Sequence, residues 1–232
     1  MCEHYVAVAD APFRLDELWP LTERLERYGL AGFGWGAAWL DAAGALASYR
    51  DPRAFHDDPG RDAVGRAETR TALVHLRRPS RLSTIGLADT QPFADPAGRY
   101  AFSHNGDFVH HEKLRRRYRA EGRLHGRADT EIGARWLEDE WRDGEPVGHL
   151  LGALHDAMEG QANLAVITRS GEAHHYAGNS ENPVFTFQLD GIRMACTGIY
   201  SLDRSLFRFV VPGAVERALV SRGTTVTLAP GA

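Results

Sequence analysis

A run of mostly apolar, strand-forming residues occupies positions 4–9, almost at the first residue, and predicts a strand there. Leu21, Leu25 and Tyr28 then recur at helical spacing. Pro20 stands near the start of that helix, where a missing N–H costs little, and Gly29 ends it. Residues 32–40 read as a strand rich in glycine. Glycine weakens a strand unless another backbone or a ligand must come close. Residues 45–49 return as a hairpin across Ala43-Gly44. Residues 51–68 are polar and broken by Pro52, Pro59, Gly60 and Gly65, which predicts a long surface loop of the kind that often covers a site. Strands follow at 71–76 and 100–103, the second running into His104-Asn105-Gly106, read as a turn.

Helical periodicity takes over in the middle of the chain. One helix is expected over 110–120. Another begins near Thr130, with Asp129 and Thr130 as its cap and Glu131 in its acidic first turn. A third carries the apolar stripe Val147, Leu150, Leu151, Leu154 and Met158, which must pack on a core. The period then changes to two. Strands are expected at 163–168, 172–177, 184–189, 192–196 and 225–228, with Ser170-Gly171 and Asp190-Gly191 as hairpin turns. Strands, then helices, then strands is the order of an α+β layered fold with mostly antiparallel sheets. No repeat or linker divides the chain, so residues 2–232 are expected to form one domain.

Composition narrows the function classes. The formal net charge of −4 over 232 residues makes neither nucleic acid nor an anionic membrane a default partner. No apolar run reaches the roughly 18 residues of a membrane span. The first residues lack a basic segment followed by an apolar one, so the cytoplasm is the expected compartment. Cys2 and Cys196 cannot build a disulfide framework, and Cys196, in an apolar strand, is expected to be an inert buried thiol. Neither His110-His111 nor His174-His175 has metal-site spacing, so no metal and no cofactor are expected. Gly29, Gly32, Gly34 and Gly36 fail the spacing of a phosphate loop. Arg115, Arg116, Arg117 and Arg119 are expected to form a solvated helix face.

Four features carry candidate chemistry. Removal of Met1 is expected before a residue as small as Cys2, leaving a thiol and an α-amine on one residue. An α-amine of pKa about 7.7–8.0 is a usable base near neutral pH, so nucleophile and base are covalently joined. In His104-Asn105-Gly106, the Asn side-chain amide and the Gly backbone N–H can aim two donors at one oxygen, an oxyanion hole for acyl transfer. Arg77 emerges from a buried strand and can clamp a carboxylate. Asp129 at a helix start can accept from an ammonium group. Taken singly, these four read more readily as a small terminal residue, a hairpin turn, a surface ion pair and a helix cap.

In this order, the four resemble the glutaminase domain of class-II glutamine amidotransferases, which are cysteine N-terminal nucleophile hydrolases. Residues 32–40 look like that family's Gly-rich second strand, Asp89-Thr90-Gln91-Pro92-Phe93 looks like its Asn-Thr-His-Pro-Phe segment, and residues 163–198 look like its second sheet. The resemblance implies a four-layer αββα sandwich, with two mostly antiparallel sheets between helical layers. It implies that Cys2 attacks the side-chain amide of glutamine, forming a γ-glutamyl thioester and releasing ammonia. Asn105 and Gly106 would stabilise the oxyanion, Arg77 would hold the α-carboxylate and Asp129 the α-ammonium. His104 and Thr130, from the same motifs, complete the substrate-binding set.

Three departures stand out. Asp89 replaces the family's Asn, Gln91 replaces its His, and Arg77-Arg78-Pro79-Ser80 replaces Arg-x-x-Thr, which leaves Arg78 as an alternative clamp. These changes are expected at the pocket wall, where they bear on the substrate more than on the chemistry. Two versions of the activity follow. In one, the chain feeds ammonia from glutamine to a separate synthase subunit. In the other it hydrolyses another γ-glutamyl amide unaided, like the ergothioneine-pathway γ-glutamyl amidohydrolases. A non-catalytic binding module on the same fold is a third reading.

Overall fold

The computed structural model describes residues 2–29, 31–198 and 205–231, apart from the side chains of Leu206 and Phe207. Met1, whose removal is expected, lies outside them. Along the chain come β1 (Glu3–Arg14), α1 (Trp19–Gly29), β2 (Trp35–Leu40), β3 (Leu46–Asp51), α2 (Arg61–Gly65) and β4 (Glu68–Leu76). The two-residue β5 (Phe93–Ala94) precedes β6 (Tyr100–Phe108), and the helices α3 (Glu112–Ala120), α4 (Asp129–Glu140) and α5 (Val147–Met158) follow. The last stretch holds β7 (Gly160–Thr168), β8 (Ala173–Tyr176), β9 (Val184–Leu189), β10 (Ile192–Thr197), α6 (Leu206–Val210), β11 (Val215–Leu219) and β12 (Thr225–Leu228).

Two sheets form, ordered β11-β9-β10-β1-β4-β2-β3 and β12-β8-β7-β6-β5, and every pairing given for them is antiparallel. The alternation of side chains along each strand explains why they stack. On β1, Tyr5 and Ala7 point outward into a core shared with Leu18 and Leu25, while Val6 and Val8 point inward between the sheets. On β6, Phe102 faces Ile132, Leu151 and Leu154 of the other outer layer, and Ala101 faces inward. Three buried apolar clusters therefore fill three interfaces, giving the expected αββα order of layers. The α5 stripe behaves as its spacing predicts, with Val147, Leu150, Leu151, Leu154 and Met158 all buried. No helix among the described residues is long and apolar enough to cross a membrane.

Three local expectations are corrected. His104-Asn105-Gly106 is not a turn. The three residues lie inside β6, which continues to Phe108 because β7 pairs with it as far as Phe108↔Gly160. Residues 51–68 do not cover the site. Phe55 packs against Trp19 and Trp35 in the outer layer, and the Glu26 carboxylate accepts from the Phe55 and His56 backbone N–H groups. Finally, α4 is capped at Ala128 without a side-chain bond, so Asp129 and Thr130 are its first helical residues and their side chains are left for other work.

Candidate active site

Cys2 immediately precedes β1, and β1 is flanked by β4 and β10 in the interior of its sheet. The nucleophile candidate therefore hangs from a rigid strand. Its Sγ is held against one peptide unit: the Arg78 N–H donates to it at 3.3 Å, and the thiol points back at the Arg78 carbonyl at 3.6 Å. Burial pushes the thiol pKa up, and the Arg78 backbone and Arg77 guanidinium partly oppose this. The resting group is a thiol, so attack requires a base.

Arg77 follows β4 and is only 3% exposed. Its backbone donates to the Gly34 carbonyl at 2.8 Å and its carbonyl accepts from Phe33 at 3.2 Å, which fixes where the side chain starts. One guanidinium nitrogen, Nη2, donates to Thr84 Oγ1 at 2.9 Å, while the buried Nη1 has no protein acceptor. A buried donor left open is costly unless a ligand accepts from it. Arg78, by contrast, is exposed.

The β6 residues face the same place. Asn105 is fully buried, and its Nδ2 donates to the Cys2 carbonyl. The amide carries two N–H groups: one positions the nucleophile's own peptide, and the other is left to donate to an oxyanion. Gly106 has φ +135°, and a Cβ there would lie 1.7 Å from the Gln161 carbonyl oxygen on β7, so only glycine fits. The one glycine of β2, Gly36, has a similar cause. A Cβ on Gly36 would meet the Gln91 carbonyl at 2.3 Å, which is the close backbone approach that the Gly-rich strand predicts.

His104 and Thr130 bond each other, Nδ1 to Oγ1 at 3.0 Å, and His104 stacks on Phe108. Burial lowers the His104 pKa, so the ring is neutral. Asp129 turns its carboxylate to the Phe108 N–H at 2.9 Å and the Thr130 N–H at 2.9 Å.

The two departures at 89 and 91 are framework residues. Asp89 accepts from the Arg127 and Ala128 N–H groups, both at 2.6 Å, and so anchors the turn that leads into α4. Gln91 brackets the His104 backbone: its Oε1 accepts from the His104 N–H at 2.6 Å and its Nε2 donates to the carbonyl at 3.1 Å. Nε2 also reaches Thr130 Oγ1 at 3.1 Å.

A cavity of about 1340 Å³ gathers Cys2, Arg77, Gln91, His104, Gly106, Asp129 and Thr130 on its wall, with Asn105 buried beneath. A second cavity, of about 1220 Å³, lies beside α5 and β12 and contains none of the predicted residues. Asn182 escaped the sequence reading. Its Nδ2 lies 3.4 Å from the Cys2 carbonyl and 3.5 Å from Asn105 Oδ1, and its own carbonyl accepts from Asn163 Nδ2 at 2.7 Å. His4, His75 and Ser103 also escaped it; both imidazole Nδ1 atoms share the Ser103 hydroxyl, at 2.8 and 2.7 Å. Burial drives both histidines well below their ordinary pKa, so this layer under the site is neutral. Among the described residues no cluster of His, Cys, Asp and Glu could hold a metal ion.

Residues 80–188 match a family model described as a glutamine amidotransferase domain, a stretch that includes Asn105, Gly106 and Asp129 but not Cys2 or Arg77. The chain superposes on glutamine phosphoribosylpyrophosphate (PRPP) amidotransferase from B. subtilis, complexed with ADP and GMP. The TM-score is 0.70 at 13% identity, covering 98% of this chain and 49% of that one. A structure described as the allosteric regulatory enzyme of purine biosynthesis gives 0.69 at 13% identity, with the same 98% and 49% coverage. A glutamine aminotransferase class-II domain protein from Silicibacter pomeroyi gives 0.62 at 16% identity, covering 97% of this chain and 94% of that one. The chain therefore spans about half the length of the first two structures and nearly all of the third. No curated protein sequence matches it. These likenesses bear out the αββα fold and the resemblance to class-II glutamine amidotransferases.

Proposed function

We propose that this chain, whose fold and residues 80–188 resemble class-II glutamine amidotransferases, hydrolyses the side-chain amide of glutamine through Cys2 and supplies the ammonia to a separate synthase. Cys2 Sγ attacks the amide carbon. The α-amine of Cys2, freed by loss of Met1, takes the thiol proton and returns it to the leaving nitrogen as the C–N bond breaks. Water then attacks the γ-glutamyl thioester, releasing glutamate and restoring the thiol. Gly106 N–H and Asn105 Nδ2 stabilise the oxyanion in both steps. Arg77 holds the α-carboxylate and Asp129 the α-ammonium, with His104 and Thr130 bracing them. The reaction needs no cofactor, and its expected setting is the cytoplasm.

The observation that carries this reading is the open, buried Nη1 of Arg77 in the same cavity as the Cys2 thiol. It favours Arg77 over Arg78 as the clamp. The test is to incubate purified protein with glutamine and with γ-glutamyl amides and assay glutamate, while intact mass locates the first residue. Glutamate release from a chain beginning at Cys2 supports the reading; retention of Met1 in active protein overturns it.

Arg77→Ala is expected to raise KM for glutamine by roughly 100-fold, the scale of a lost charge-assisted hydrogen-bond pair, with a smaller change in kcat. Steady-state kinetics checks this. A larger KM effect from Arg78→Ala would move the clamp by one residue. The second version, an unaided γ-glutamyl conjugate hydrolase, draws support from the cavity itself. At about 1340 Å³ it exceeds the roughly 300–1,000 Å³ of a pocket for a drug-sized ligand. Glutamine alone leaves most of it empty.

A further inference from the structure

The cavity holds more positive charge than a γ-glutamyl group uses. One α-carboxylate occupies one guanidinium, yet six arginines line the wall: Arg77, Arg78, Arg81, Arg115, Arg119 and Arg127. The whole chain is net negative, so this is a local concentration. Four acids share the wall, Asp107, Glu112, Asp129 and Glu181. Two of them are already engaged: Asp129 accepts from the Phe108 and Thr130 N–H groups, and Glu112 lies 3.7 Å from Arg115 and 3.4 Å from His111. Among the described residues no hydrogen bond or ion pair reaches the guanidinium of Arg78, Arg81, Arg119 or Arg127.

Three of these arginines are also arranged. Arg115 and Arg119 stand four apart on α3 and so share a face, while Arg117 points away to Glu121 and Asp139. Of the expected solvated face, Arg116 and Arg117 stay outside the cavity, whereas Arg115 and Arg119 line it. Arg115 is 15% exposed and donates from Nη1 to the Arg127 carbonyl at 2.9 Å, tying the helix to the turn that Asp89 anchors.

We infer that Arg115, Arg119 and Arg127, together with Arg78 and Arg81 on the wall of the same cavity, form a subsite for an anionic group carried on the amine half of a γ-glutamyl amide. The inference rests on the second version of the proposed reaction, in which Cys2 attacks a γ-glutamyl amide larger than glutamine, and it names the substrate class. The γ-glutamyl half lies between Cys2, Arg77 and Asp129. The amine half extends into the remaining volume, where guanidinium forks meet a carboxylate, sulfonate or phosphate.

The test compares γ-glutamylglycine with its neutral isostere γ-glutamylglycinamide. Binding to Cys2→Ala protein is read by calorimetry, which needs no turnover. The anionic compound is expected to bind roughly 10–100-fold more tightly. The double variant Arg119→Gln/Arg127→Gln, two exposed positions, should bring that ratio towards one. Equal binding of the two compounds, or a ratio indifferent to the double variant, overturns the inference. Inorganic phosphate titrated alone separates the sources: phosphate binding as tight as the dipeptide assigns the arginines to a free anion and also overturns it. Glutamine hydrolysis by the unmodified protein tests the underlying reading separately. Hydrolysis with a ratio of one removes only the subsite. A high ratio without hydrolysis removes only the reaction. Failure of both compounds to bind removes both.

Discussion

Cys2→Ala is expected to lower glutamate release from glutamine by a factor on the order of 10⁵–10⁶, the scale on which removing a covalent nucleophile acts. The proposed reaction has no second route. Cys196 cannot stand in, because it is fully buried in β10 and burial pushes its thiol pKa well up. The fold should barely notice the change. The Cys2 side chain meets a single peptide unit through weak sulfur contacts, so its loss should alter stability by less than about 1 kcal/mol. Turnover and thermal unfolding measured on the same sample check both halves. Because the Cys2 pKa is raised, the thiolate fraction is small at neutral pH and grows as pH rises. A neutral alkylating agent should therefore label Cys2 faster at about pH 9 than at about pH 7, and leave Cys196 untouched. Activity that survives in the variant, or labelling at Cys196, would contradict the proposed nucleophile.

Gly106→Ala should damage stability and catalysis together. Its φ of +135° is one that L side chains rarely adopt, and the new Cβ would meet backbone oxygen, not a side chain able to swing aside. Either β6 and β7 separate locally or the chain flips at 106, and both break the ladder that runs from Tyr100 to Phe108. A cost of about 3–5 kcal/mol follows from strain plus lost pairing. For a domain of this size that is a fall in Tm of roughly 6–20 °C. The neighbouring Asn105 would shift with the strand, so kcat should drop even at temperatures where the variant stays folded. A Tm within about 2 °C of the unmodified protein would show that this strand pairing is dispensable.

What the sequence revealed follows from how locally each feature is encoded. The α5 stripe and the hairpins at Ser170-Gly171 and Asp190-Gly191 are written in neighbouring residues, and they form where their spacing predicts. The extension of β6 through His104-Asn105-Gly106 was hidden, because it depends on β7, more than fifty residues later. Asn-Gly alone reads as a turn. Residues 51–68 looked like a cover because they are polar and broken, yet buried Phe55 ties them to Trp19 and Trp35 on the far side. Asn182 and Asn163 had no motif to mark them; only the pairing of distant strands brings them beneath Cys2. Arg115 and Arg119 were grouped with Arg117 by adjacency, whereas helical rotation separates them.

The position of β1 has a consequence for biosynthesis. During synthesis it finds one neighbour when β4 is complete at Leu76, but the other only when β10 is complete at Thr197. At about 5–20 residues per second, the roughly 120 residues between them take on the order of 6–24 s. Through that interval one edge of β1, beside the end that carries Cys2, has no strand to pair with. Closure by β10 ends the interval, so strand order makes completion of this sheet a late event in synthesis. A nascent chain halted before residue 192 would carry the nucleophile candidate on a strand paired along one edge only.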